Sequence, residues 1–342
     1  MAGRTDISEK PISTAYRLLA LIIRLLGLKK TFSLDEAGLD AYFKKTLDKR
    51  KTAPPAFMYR KTQVREWILD GRPCYIITPK KGASPSKTVL FFHGGGMIME
   101  AHVIHWIVIA KLARRLEAAV WVPAYPLAPG HDFKEVTEML FRVYGKMREE
   151  HPGSEFSILG DSAGGTLALM LCHHIKALGM PMPEKLILVS PGAFIRKDSR
   201  TIRDEMDRIL PRDPFLSPKL MDVMIPLMGI DPDRGTYFDL PMEGDFSGFP
   251  ETHVFFGTNE IFFALVPAFT GGMKAAGVPL KLYIGKGMMH IWPYMPVSRE
   301  CREALKIIFE IIGGSPEQAE PGKTAACPPG GAGPFPETAP TS

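Results

Sequence analysis

The chain has 342 residues, 45% of them hydrophobic and 23% charged, enough for one large α/β domain with a cap or for two ordinary domains. Its formal charge of +5 is spread over Lys and Arg interleaved with Asp and Glu, so the basic stripe that nucleic acid requires is missing and that partner class is excluded. Cys74, Cys172, Cys301 and Cys327 lie far apart with no C-x-x-C, which reads as free thiols in a reducing, cytoplasmic compartment. The adjacent His173 and His174 would point about 100° apart on a helix and cannot easily share an ion. No other metal-ligand spacing appears, so neither a metal nor another cofactor is expected.

At the N-terminus, residues 14–28 read as a helix that is almost wholly apolar from Leu18 to Leu28, interrupted by Arg24 and preceded by Arg17. Its unbroken apolar runs fall far short of the roughly 20 residues a membrane span needs. The mixed-charge lead before it has no signal-peptide pattern. Two readings stay open: packing as part of a cap, or lying on a membrane surface with help from Lys29 and Lys30. A second helix is expected over 34–49, with Ser33 as N-cap and Glu36 at N3. Thr52-Ala53-Pro54-Pro55 closes this block, so 1–55 is taken as an N-terminal helical cap segment.

Strands follow over 62–67, 72–78 and 88–92, the first two joined by a tight hairpin at Asp70-Gly71. Apolar strands then alternate with helices, at 119–122, 156–159, 185–189, 253–256 and 280–284. Runs apolar on both faces predict a mostly parallel sheet covered by helices. The alternation lapses between Ser190-Pro191 and Phe249-Pro250, where a helix-like run covers 218–228. An insertion of that length after a core strand reads as a cap, placed at about 195–247. The domain itself is taken as 56–312. Residues 313–342, rich in Pro, Gly, Ala, Thr and Ser, read as a disordered tail.

Gly160-Asp161-Ser162-Ala163-Gly164 stands between a short strand and a run of helix formers. That context holds a serine on a strained elbow with its hydroxyl projecting, and small neighbours let strand and helix approach closely. Such a hydroxyl needs a base, and the base needs a carboxylate to orient it and stabilise its protonated form. Among nine histidines only His290 sits just past a late strand, after Gly285-Lys286-Gly287. Glu260 is the first carboxylate beyond the strand at 253–256, and Asp245 is its rival. His93-Gly94-Gly95-Gly96 directly follows a strand, and its bare backbone N–H groups, with that of Ala163, form an oxyanion hole. A phosphate loop would want Lys and Ser/Thr next, whereas Met97-Ile98-Met99 follow.

These segments, with Tyr125-Pro126-Leu127-Ala128-Pro129 and Gly165, resemble the hormone-sensitive-lipase-like family of α/β-hydrolases over about residues 60 to 312. Asp213-Pro214-Phe215-Leu216-Ser217-Pro218 and Phe246-Ser247-Gly248-Phe249-Pro250 are also similar to family segments. The resemblance implies a mostly parallel sheet of about eight strands, a helical cap, no cofactor and hydrolysis of carboxylic esters. By it, Ser162 is the nucleophile, His290 the base, and Gly94, Gly95 and Ala163 the oxyanion donors. Two segments depart from the family pattern. Glu260-Ile261-Phe262 stands where an Asp-Pro-Leu setting is usual. Tyr125 to Gly130 lacks the arginine and glutamate of Tyr-Arg-Leu-Ala-Pro-Glu, so other residues must brace the oxyanion loop.

The expected pocket wall is Met97, Ile98 and Met99, then Phe262 and Phe263, then Ile291, Trp292 and Tyr294. Methionine and aromatic walls suit an apolar group, and no fixed cation offers itself to an anionic substrate. The sequence-based expectation is a short-to-medium acyl ester cleaved through an acyl-serine. An amidase or peptidase on the same triad, or a catalytically silent small-molecule receptor, are the alternatives.

Overall fold

The computed structural model describes residues 3–6, 11–47, 50–81, 85–196, 198–295 and 297–314. The strands are β1 (Gly3–Asp6), β2 (Thr62–Leu69), β3 (Arg72–Pro79), β4 (Lys87–Phe92), β5 (Ala119–Pro123), β6 (Glu155–Asp161), β7 (Lys185–Val189), β8 (Glu251–Gly257) and β9 (Leu280–Gly285). They form one sheet in the order β1-β9-β8-β7-β6-β4-β5-β3-β2. Only β3 runs against its neighbours; the other pairings are parallel. The β2–β3 hairpin turns on Asp70 (φ 51°) and Gly71 (φ 74°), the two positive φ angles whose twist matches that of the flanking strands. The ninth strand, β1, lies within the segment expected to be helical. Gly3-Arg4-Thr5-Asp6 has no apolar alternation, and what places it is main-chain pairing against Lys281–Ile284 at the sheet edge.

The helices are α1 (Thr14–Leu26), α2 (Leu28–Thr31), α3 (Glu36–Thr46), α4 (Ala56–Lys61), α5 (Val103–Arg115), α6 (Phe133–Glu150), α7 (Ala163–Ala177), α8 (Arg200–Ile209), α9 (Lys219–Leu227), α10 (Val266–Ala275) and α11 (Arg299–Gly313). Each central strand feeds both faces of the sheet. On β4, Leu90 and Phe92 pack with Val136 of α6 and Leu167 of α7, while Val89 and Phe91 pack with Ile109 of α5 and Ile308 of α11. This period-two division of an all-apolar strand is what a sheet covered on both sides demands.

The predicted cap of the second N-terminal helix is displaced by two residues. Asp35, not Ser33, caps α3, its carboxylate accepting from the Gly38 N–H. The Ser33 hydroxyl donates instead to the Lys29 carbonyl at 2.7 Å, closing the preceding turn. Helices α8 and α9 occupy the insertion between β7 and β8. The N-terminal helices are stitched to it: Lys29 Nζ donates to the carbonyls of Leu210 (2.7 Å) and Asp213 (2.8 Å), and Arg24 to that of Arg212. Of the expected tail, Gly313 ends α11, and residues 315–342 lie outside the described residues.

Candidate active site

The carboxyl ends of β6, β8 and β9 converge on one point because the three strands run parallel and lie close together in the sheet. Ser162 sits between β6 and α7 with φ 52° and ψ −123°, a conformation that costs a non-glycine residue about 1–3 kcal/mol. The small residues around it are required sterically. A Cβ on Gly160 would run into the Gly164 carbonyl, and one on Gly164 into that of Phe92. His290 Nε2 lies 2.8 Å from Ser162 Oγ, and its Nδ1 lies 2.7 Å from Glu260 Oε2. With Nδ1–H donating to the carboxylate, Nε2 is left as acceptor for the serine hydroxyl. Serine, histidine and glutamate are all buried.

Glu260 is held on both oxygens. Oε1 accepts from the Gly257 N–H at 2.6 Å and from the Ser190 hydroxyl at 2.9 Å. Burial pushes its carboxyl up from the usual range, and the contacts with His290, Gly257 and Ser190 pull against that rise. Ser190 also accepts from the Ile291 N–H at 3.0 Å, so one hydroxyl fixes both acid and histidine loop. The Tyr16 hydroxyl of α1 accepts from the Met289 N–H at 2.6 Å, next to the histidine. Asp213 lies behind the acid: Oδ2 accepts from Ile261 N–H at 2.8 Å, and Oδ1 from the N–H groups of Phe215 and Leu216. Sequence reasoning missed Ser190, Tyr16 and the contact made by Asp213. Asp213 alone carried a signal, in its family-like segment. The rival Asp245 is an exposed residue on the surface, bound to Lys176 and Ser247, and Lys176 holds its carboxyl well below the usual range.

The glycine loop after β4 is pressed against the elbow. A Cβ on Gly94 would meet the Asp161 carboxylate and come within 2.9 Å of Ser162 Cβ. The next three residues, Gly95, Gly96 and Met97, have φ of 123°, 61° and 58°, and the turn closes by N–H groups of Ile98 and Met99 donating to the Gly95 carbonyl. Ala163 opens α7, so its N–H has no acceptor within that helix. Arg50 supplies a brace that sequence reasoning left unassigned. Its guanidinium donates to the carbonyls of Ile98 (3.0 Å) and Ala128 (2.5 Å). Arg72 likewise binds the carbonyls of Ala124 and Tyr125. The Tyr125 hydroxyl donates to the His93 carbonyl at 2.6 Å.

Of the expected wall, Phe262 stands edge-on to the His290 ring at 5.4 Å, joined by Phe215 at 5.8 Å. Met97 and Ile98 are buried in the same core as Phe262. Ile291 and Trp292 are placed differently, in the core on the other face of the sheet. Among the described residues, no group of three or more His, Cys, Asp or Glu is arranged to hold a metal ion.

A family model described as an alpha/beta hydrolase fold matches residues 89–294. An esterase of Acinetobacter venetianus is 30% identical over 210 residues, 60% of this chain and 68% of the relative. A triacylglycerol lipase of Mycobacterium tuberculosis is 25% identical over 225 residues, 65% of this chain. The chain spans 45% of that lipase's length. The crystal structure of an esterase from the bacterial hormone-sensitive lipase family is similar at TM-score 0.71 and 22% identity, with 89% of this chain and 99% of that one covered. On the family match and on the Acinetobacter relative, the chain belongs to the α/β-hydrolase family.

Proposed function

We propose that the chain is a serine carboxylesterase acting on short-to-medium acyl esters through an acyl-serine. The observation that carries this reading is the unbroken chain of contacts from Ser162 Oγ through His290 to Glu260, at 2.8 and 2.7 Å. Ser162 Oγ attacks the ester carbonyl carbon while His290 Nε2 takes the hydroxyl proton. The carbonyl oxygen becomes an oxyanion, received by the N–H groups of Gly94, Gly95 and Ala163, each such donor worth about 2.7–4 kcal/mol of barrier. Collapse breaks the ester bond, and the imidazolium returns its proton to the departing alcohol. Water then attacks the acyl-serine by the same relay and releases the acid. Glu260 orients the imidazole and stabilises its cation without itself taking the proton.

Residues 56–312 serve as the catalytic domain, and 1–55 with 195–247 as its cap. Supporting this are the Phe215 ring against His290 and the bonds from Lys29 to the insertion. Met97, Ile98, Phe262 and Phe215 form the acyl wall. A reducing, cytoplasmic setting rests on Cys74, Cys172 and Cys301, all free and buried. Hydrolysis of p-nitrophenyl esters from acetate to palmitate tests the reading. Turnover should peak at short chains and vanish in Ser162→Ala. Folded protein with no turnover at any chain length would overturn it.

A further inference from the structure

Helix α1 is apolar on two opposite faces, and only one of them is used. Tyr16 and Ile23 are buried against the protein, with Leu19 and Ala20 beside them. About 200° around the helix, at the offset of two residues, lies a second stripe that faces solvent: Leu18, Leu21, Ile22, Leu25 and Leu26. Leu25 is 78% and Leu26 68% exposed. The stripe continues through Leu28, so six of the thirteen large apolar side chains exposed among the described residues fall within eleven consecutive positions. Single exposed leucines are ordinary, but a contiguous stripe marks an interaction site.

The charge pattern selects the occupant. Residues 11–34 contain no Asp or Glu; Arg24 and Lys29 are turned to carbonyls of the insertion, while the exposed Arg17 and Lys30 flank the stripe. A second copy meeting this face would bring these cations against their own kind, whereas an anionic lipid surface complements them. Among the described residues no helix is long and apolar enough to cross a membrane, so the contact is lateral. We propose that the outward face of α1 docks on an anionic lipid surface, the leucines entering the acyl boundary and the cations meeting the head groups. Vesicle binding is read without turnover, so it stands or falls apart from the ester chemistry proposed above.

The full chain would be co-sedimented with vesicles of phosphatidylcholine alone and with added phosphatidylglycerol. Binding should require the anionic lipid and weaken in about 1 M salt, where the screening length is about 3 Å. The triple variant L21S/L25S/L26S, checked for native circular dichroism, should lose at least about tenfold in partitioning, since each apolar group withdrawn from the boundary weakens it. R17Q/K30Q should lose the anionic preference. Wild-type protein that stays in the supernatant, or a triple variant that sediments as well as wild type, would overturn the proposal. So would a dimer in sedimentation velocity that the triple variant abolishes while vesicles bind neither protein.

Discussion

The Glu260 side chain is one methylene longer than aspartate, and the structure absorbs that length by anchoring Oε1 on the Gly257 N–H and the Ser190 hydroxyl. Oε2 is thereby aimed at His290. Replacing the carboxylate by an amide keeps the shape but removes the charge that favours the imidazolium. Glu260→Gln should therefore lower kcat by about 10³–10⁴-fold. Asp245→Asn, which touches only Lys176 and Ser247 at the surface, should stay within about twofold of wild type. Turnover of p-nitrophenyl acetate checks both, and equal losses would sink the assignment of the acid. Tyr16→Phe strips the Met289 N–H of its acceptor, and an unsatisfied buried donor costs about 1–3 kcal/mol. A lowered melting temperature together with a lowered kcat at unchanged KM is expected; a variant matching wild type in both would refute the clamp.

Among the elements, the loop after β4 depends most on distant support. Arg50 reaches it from outside the sheet and binds carbonyls on two separate turns, those of Ile98 and Ala128. A hydrogen bond to a charged group contributes about 1.5–3 kcal/mol. If that is spent on holding the glycine loop, Arg50→Met should lower kcat about 10- to 100-fold, with KM little changed. Steady-state kinetics on a short ester measure this, and a rise confined to KM would place Arg50 in substrate binding instead. The contrast between this brace and the triad explains what a linear chain reveals. The elbow, the histidine loop and strands β2 to β9 were legible because apolar runs, glycines and turn residues act on their immediate neighbours. Glu260 was legible from its position just past β8. Arg50, Ser190 and Tyr16 were not, since each acts across a fold that must exist before the contact has meaning. Ile291 and Trp292 show the converse. They follow His290 in sequence, but the left-handed turn at Ile291, φ 49°, sends the chain into the opposite core.

The whole molecule carries an acid sensitivity set by buried histidines outside the Ser162–His290–Glu260 contacts. Burial holds His93 and His173 down to about 4. His253, beside Glu251, is likewise lowered by burial. Above the ordinary imidazole value of about 6.5, these groups are neutral in both folded and unfolded chains and leave stability unchanged with pH. Below it the unfolded chain binds protons that the folded chain refuses, so stability must fall as pH drops from about 6.5 towards 4. Each histidine contributes up to about 1.4 kcal/mol per pH unit, and the three together about 4. Two buried carboxyls act in the opposite sense. Burial raises both Glu260 and Asp213, so the folded chain takes up their protons first and gains some stability on acidification. Burial also lowers His102, His151 and His174 and raises Glu100, so six histidines stand against three carboxyls and the net slope still favours unfolding. Urea midpoints at pH 7, 6 and 5 should decline at an unchanged m-value, with the steeper step between 6 and 5. A midpoint that holds level across that interval would mean that these histidines are protonated in the folded protein and that their burial is relieved by motion.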